Sequence, residues 1–197
     1  MTIKAIILDL NGVLIQSPLL SDLIKEKYNL SPEKFLPALA EIMKIARSPG
    51  TKNSYLLWKP YLEKWNIKLT QEEFFNFWFS CEKINQDLLK YLKQLDHKNI
   101  QLFILSNNFR ERTVHYQTHF AEIFRLIKKS YFSWETGFIK PDIEDYKKIL
   151  DENDLDGKEC IYFDDSQKNL DVAATLRIKS FKYISVAETK RTIEQFF

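Results

Sequence analysis

The stretch that most constrains this chain is its beginning. Ala5-Ile6-Ile7-Leu8 is an unbroken apolar run that ends on a carboxylate, Asp9, with Asn11-Gly12 two residues further on. An apolar run without polar alternation fits a strand buried on both faces, as in a parallel sheet. In open parallel sheets ligands sit just beyond the carboxyl ends of the strands, which is where Asp9 stands. Gly12 supplies backbone freedom for a tight turn at that point.

Two more apolar runs end in the same way. Ile100 to Leu105 leads into Ser106-Asn107-Asn108, and Cys160-Ile161-Tyr162-Phe163 leads into Asp164-Asp165-Ser166. Between and after them the pattern is helical over Leu88–Leu95, Ile143–Leu150 and Lys168–Leu176. A short strand is predicted within Phe124–Phe132, another over Lys179–Ile184, and a short helix from Ala187. Asn108 followed by Glu111 reads as a helix start. Strands alternating with helices give an α/β fold with a parallel sheet and right-handed crossovers.

The stretch from residue 17 to residue 90 is different. It carries helical periodicity and no strand pattern. Ser31-Pro32 reads as an N-cap with Pro at the first helical position, Thr70-Gln71-Glu72-Glu73 as a capping box, and Ser48-Pro49-Gly50 as a turn between helices. Trp58, Tyr61, Leu62 and Trp65 fall on one helix face. Its many aromatic residues read as the core of a small helical bundle, with a share of the rings available to wall a pocket. The expected organisation is therefore a core made of residues 1–16 and 91–197, with a helical insertion over 17–90.

Composition narrows the function classes. With 45% hydrophobic and 28% charged residues and a net charge of +2, the chain reads as a soluble globular protein. Its Lys and Arg are scattered, which argues against a nucleic-acid stripe, and no apolar run is long enough to cross a membrane. No signal-peptide layout is seen, so a cytoplasmic location is expected. Cys81 and Cys160 lie in no C-x-x-C pattern and are expected to be reduced core thiols. His115 and His119, four apart, read as a solvated helix face and not as a metal pair.

The polar strand ends should meet at one edge of the sheet, where Lys140 can join them from its loop. Carboxylates this close repel and call for a cation, and an all-oxygen ligand set suits Mg²⁺ better than Zn²⁺. Ser106 and Lys140 are suited to donate to an oxyanion there.

Four motifs in order now carry a resemblance: D-L-N-G-V at Asp9–Val13, S-N-N at Ser106–Asn108, the lysine of G-F-I-K-P-D at Lys140, and F-D-D-S at Phe163–Ser166. The chain is similar to the haloacid dehalogenase superfamily, and in particular to the N-terminal phosphatase domain of soluble epoxide hydrolase and its bacterial sugar-phosphatase relatives. The resemblance implies a Rossmann-like core with a helical cap inserted after the first strand, and Mg²⁺-dependent hydrolysis of a small phosphorylated metabolite. By the same resemblance Asp9 is the nucleophile that forms an aspartyl-phosphate. Asp9, the backbone carbonyl of Asn11, and Asp165 hold Mg²⁺. Ser106 and Lys140 bind the phosphoryl oxygens, Asn107 and Gly12 lie beside the substrate, Asp164 orients Lys140 or stands behind the metal ligands, and Asn169 braces the loop.

One departure matters. Phosphatases of this family usually have a second Asp where Asn11 stands, and a carboxamide cannot cycle a proton. Three consequences are open: a slow phosphatase, a pseudo-enzyme that binds a phosphorylated ligand, or other chemistry at the same carboxylate. Haloacid dehalogenases proper also lack the second Asp, but they lack a pair like Asp164-Asp165 as well, which argues against that route. Asn11-Gly12 is also a deamidation-prone pair, and conversion to Asp would restore the usual motif. A second departure, Arg177 where the family often has Gly, is expected to be a local turn difference.

Overall fold

The computed structural model describes residues 2–95 and 99–197. Its centre is a five-stranded, all-parallel sheet in the order β5-β4-β1-β6-β7. The strands are β1 (Ala5–Leu8), β4 (Gln101–Ser106), β5 (Lys129–Phe132), β6 (Cys160–Asp164) and β7 (Lys179–Lys182). The apolar run at the start is buried because it serves two cores. Ile6 and Leu8 pack with Leu102, Ile104, Ile161 and Phe163 on one face. Ala5 and Ile7 pack with Phe103, Leu105, Cys160 and Tyr162 on the other. Alternation is present in space, but both faces are apolar, so the sequence reads as continuous.

Helices cover both faces of this sheet: α5 (Gln86–Gln94), α6 (Arg110–His119), α7 (Ala121–Leu126), α8 (Ser133–Thr136), α9 (Ile143–Glu152), α10 (Gln167–Thr175) and α11 (Val186–Glu194). The helix after β4 starts at Arg110, not at Asn108. The Asn108 side chain turns back to accept from Phe109 N, and Glu111 is drawn off to the Ser54 amide and hydroxyl, at 2.7 and 2.8 Å. The expected capping pair is thus lost to a long-range contact.

The stretch after β1 forms four helices: α1 (Leu20–Tyr28), α2 (Pro32–Ala46), α3 (Tyr55–Lys64) and α4 (Gln71–Phe79). The Thr70–Glu73 capping box is present, while Ser31 makes no side-chain cap bond before Pro32. Trp58, Leu62, Phe35, Phe74 and Trp78 form a separate aromatic core, joined by Phe109 from the start of α6. One expectation is corrected here. A two-residue strand, β3 (Lys83–Ile84), pairs antiparallel with β2 (Ile15–Gln16), so the helical segment leaves and re-enters the core side by side. Two residues are too few for a pattern of period two to show.

The thiol expectation holds for Cys160, which is buried, and fails for Cys81, which is exposed just past the end of α4. His119 is exposed as expected. His115 is half-buried against Phe79, with its ring stacked on His119 at 4.2 Å. Burial first, then His119, pushes His115 down to about 4. Among the described residues no helix is long and apolar enough to cross a membrane.

Arg177 stands in the left-handed region, φ +66°, which explains why a glycine would suit that turn. The close approach here is met from the opposite side by Gly157, where a Cβ would run into the Leu176 carbonyl.

Asp145 on α9 is a buried carboxylate away from the strand ends. Its Oδ1 accepts from the Thr136 hydroxyl at 3.1 Å and its Oδ2 has no partner. Burial pushes it from 3.8 up to about 6. The folded chain therefore holds this proton more tightly than the unfolded chain, and stability falls as pH rises between those values. Asp145→Asn should remove that slope. Urea unfolding is expected to show a gain of about 1–2 kcal/mol at pH 7, about half the full linkage because the new amide also lacks a partner, and no gain at acid pH below both values.

Candidate active site

The register of the sheet sets the site. Leu8 lies opposite Ile104 on one side and Phe163 on the other, so Asp9 and Asp164 leave neighbouring strands at one level. β1 is also the point from which the strand order runs outward in both directions, the position where an open α/β sheet leaves a crevice.

Lys140 lies at the centre. It is buried, and its Nζ sits 2.7 Å from Asp164 Oδ2 and 3.0 Å from Asp9 Oδ1. The same ammonium donates to the Leu105 carbonyl at 2.8 Å and to the Tyr162 hydroxyl at 3.2 Å. Asn107 holds the lysine from behind: its Oδ1 accepts from Lys140 N and its Nδ2 donates to Lys140 O. Both functional atoms of Asn107 are thus engaged by main chain. Burial alone would lower the Lys140 pKa, but Asp9 and Asp164 outweigh it and raise it, so the lysine stays charged.

The three carboxylates are not equivalent. Asp164 is saturated: besides Lys140 it accepts from Tyr162, from Asn169 Nδ2 and from Ser166 N. Burial would raise Asp164, but Lys140 and these donors hold it low. Asp9 accepts from Leu10 N at 2.7 Å, and burial pushes it up to about 6 against the pull of Lys140. Asp165 is the most open of the three, and partial desolvation of its carboxyl, then the charge of Asp164, raises it. Gly12 makes room for it: φ is +86°, and a Cβ there would lie 2.6 Å from Asp165 Oδ2. Ligand atoms of Asp9, Asp164 and Asp165 all lie within 4.8 Å of one another. Two raised carboxyls beside each other are relieved by a divalent cation, and oxygen donors of this kind fit a hard one.

Ser106 Oγ is buried without a hydrogen-bond partner at the end of β4. A buried donor left unmade is costly, so it is suited to an oxyanion brought into the site.

Asn11 accepts a 2.6 Å hydrogen bond at Oδ1 from the Tyr116 hydroxyl. Burial pushes Tyr116 well above the usual phenol range, so it keeps its proton and acts as a donor. Gly12 N, the atom that would attack Asn11 during deamidation, instead donates to Ile15 O at 2.8 Å. That bond opposes the deamidation route expected from the sequence.

A cleft of about 590 Å³ opens between this edge and the helices. Asn11, Gly12 and Asp165 line one side, and Leu36, Met43 and Arg47 of α2 and its end line the other. Arg47 Nε is buried without a hydrogen-bond partner, and no carboxylate pairs with Arg47 among the described residues. Arg112, by contrast, is paired with buried Glu82 and donates to Ser17.

The structure thus gathers Asp9, Asn11, Gly12, Ser106, Asn107, Lys140, Asp164, Asp165 and Asn169 at one edge. It adds Tyr116, Tyr162, Arg47 and Arg112, which sequence reasoning missed. Tyr162 had a signal, since it stands two residues before Asp164 on the same strand face. Tyr116 and Arg47 had none, being helix residues brought in by packing.

A family model described as haloacid dehalogenase-like hydrolase matches residues 3–176. The chain belongs to the haloacid dehalogenase-like hydrolases. Among solved structures, a HAD family enzyme from Bacteroides thetaiotaomicron shares 22% identity, covers 93% of this chain and 95% of its own, and superposes with a TM-score of 0.79. That enzyme is also known in complex with magnesium and inorganic phosphate (TM-score 0.73, 21% identity, 92% and 94% covered). A predicted HAD-like hydrolase from Porphyromonas gingivalis shares 17% identity over 98% of each chain, with a TM-score of 0.73. At these identities the likeness is one of fold, and it places this hydrolase family's α/β core under the site described above.

Proposed function

We propose that this hydrolase cleaves a small phosphomonoester by transfer of the phosphoryl group to Asp9 and then to water. The observation that carries the reading is the buried lysine–carboxylate cluster at the ends of β1 and β6, with unpartnered Ser106 at the end of the adjoining strand β4. Asp9 is the one cluster carboxylate that is both buried and spared the full set of donors that occupies Asp164. Lys140 and Ser106 are the donors for phosphoryl oxygens.

Mg²⁺ is the cofactor this reading requires. Asp9, the Asn11 carbonyl and Asp165 would hold it, while Asp164, already saturated, serves to fix Lys140. The bound cation would offset charge on the phosphoryl oxygens. The relative solved with magnesium and phosphate supports this assignment.

In this reading α1–α4, within residues 17–90, form a cap over the core of residues 1–16 and 91–197. It would exclude water and select the substrate. Asn107 acts through Lys140, and Gly12 through its fit to Asp165. The natural substrate is a phosphorylated metabolite, and the protein works in the cytoplasm.

Asn11 favours one alternative, a weakly active protein that binds a phosphorylated ligand or partner. Hydrolysis of p-nitrophenyl phosphate decides between them, because its leaving group needs little acid help. Wild type with Mg²⁺ is expected to turn it over, and Asp9→Asn should lower kcat by at least about 10³-fold, as losses of nucleophiles do. Equal rates in the two proteins would remove Asp9 from the chemistry.

A further inference from the structure

The side chain at position 11 is held in one orientation. The Tyr116 hydroxyl donates to Asn11 Oδ1 at 2.6 Å. Tyr116 is itself fixed: it is fully buried, its ring is stacked on Phe120 at 5.7 Å, and the Arg112 guanidinium lies 5.4 Å from its centroid. Arg112 is in turn anchored by buried Glu82. A carboxamide whose oxygen accepts from a fixed phenol turns its NH₂ the other way. Asn11 lines the cleft beside Gly12 and Asp165, so that direction is the cleft. Position 11 offers an arriving oxygen a hydrogen bond and no transferable proton.

We propose that, beyond phosphomonoesters, this chain takes its phosphoryl group most readily from acyl phosphates, donors whose leaving oxygen is stable as an anion, and that the group then persists on Asp9. The inference rests on the phosphoryl-transfer reading above. In the first half, an Asp9 carboxylate oxygen attacks phosphorus and a new P–O bond forms. The bond from phosphorus to the acyl oxygen breaks, its electron pair leaves with that oxygen as a carboxylate, and no proton moves. Asn11 Nδ2 has only to donate to the departing oxygen. An alcohol leaving group would need a proton at the same moment, and none is supplied. In the second half, water must lose a proton as it attacks phosphorus, and position 11 has no base to take it. Absence of a general base slows such a step by about 10²–10⁴-fold. The first half is spared this loss and the second is not, so the phosphoenzyme accumulates.

The test is incubation of the full chain with acetyl phosphate and Mg²⁺, acid quenching, and intact-mass measurement. Wild type is expected to gain the mass of one phosphoryl group, removable by hydroxylamine and absent in Asp9→Asn. Its half-life should exceed that in Asn11→Asp by at least about 10²-fold. Across acetyl phosphate, p-nitrophenyl phosphate and an alkyl phosphate, the wild-type kcat/KM, which reports the first half, should fall steeply and that of Asn11→Asp much less. The wild-type arm is decisive by itself: no phosphoenzyme, or one whose half-life is no longer than in Asn11→Asp, overturns the inference. If Asn11→Asp meanwhile hydrolyses these esters, the phosphatase reading stands without it. If neither protein reacts with any of them, both fall.

Discussion

Replacing Asn11 with Asp is expected to raise kcat/KM for an alkyl phosphate by about 10²–10⁴-fold, the usual contribution of a general acid–base. This corresponds to about 3–5 kcal/mol of barrier. The surroundings are ready for the change. The Tyr116 hydroxyl already donates to Oδ1 at 2.6 Å, and a carboxylate accepts that bond as well as a carboxamide does. Asn11 is only half-buried at the cleft, so its second oxygen would face the departing group. The backbone carbonyl assigned to Mg²⁺ is unchanged. The gain in kcat/KM should be smaller for p-nitrophenyl phosphate, whose leaving group needs less help, while kcat should rise for both because hydrolysis of the phosphoenzyme is common to them. Steady-state kinetics on both substrates checks this. A uniform gain in kcat/KM would mean improved binding of the metal or phosphate, and no gain would mean that proton transfer is not what limits this site.

Lys140→Met is expected to be the most damaging single change to the fold and to phosphate binding together. The lysine neutralises Asp9 and Asp164 at once, from 3.0 and 2.7 Å, at a point shielded from water. Removing one partner of a buried ion pair costs about 3–5 kcal/mol, because the remaining charges are left uncompensated. The pH dependence follows from the same cluster. Asp9 is already raised to about 6 and rises further without Lys140, and Asp164, which the lysine holds low, is driven up by its burial. The variant then binds more protons folded than unfolded across the weakly acidic range, so its stability falls as pH rises. Urea unfolding in EDTA should show a large gap from wild type at pH 7.5 and a smaller one at pH 5. Turnover should drop by about 10²–10³-fold, as it does when one donor to a reacting oxyanion is removed. A gap that does not change with pH would mean that the lysine acts through packing alone.

Much of this site is local enough to be read from residues in order. The apolar runs ending at Asp9, Ser106 and Asp164 fix three strand ends, because an apolar segment bounded by polar groups has few other solutions in a parallel sheet. Lys140 is legible because it precedes a helix in the stretch joining two such strands. The two-residue pair β2–β3 was not legible, since so short a ladder has no period. Glu111 was misread because a long-range contact with Ser54 outcompeted the local cap.

The sequence by itself determined the order of elements, the edge at which they end, and the presence of Asn11 where a proton carrier would be expected. Only the tertiary structure decided what Asn11 can do, because its orientation is set by Tyr116, 105 positions away. Packing likewise saturated Asp164 while leaving Asp165 open, and it brought Arg47 to the cleft wall without an acidic partner. Local patterns fix where a strand ends. Hydrogen-bond partners drawn from distant helices fix which of its polar atoms remain available.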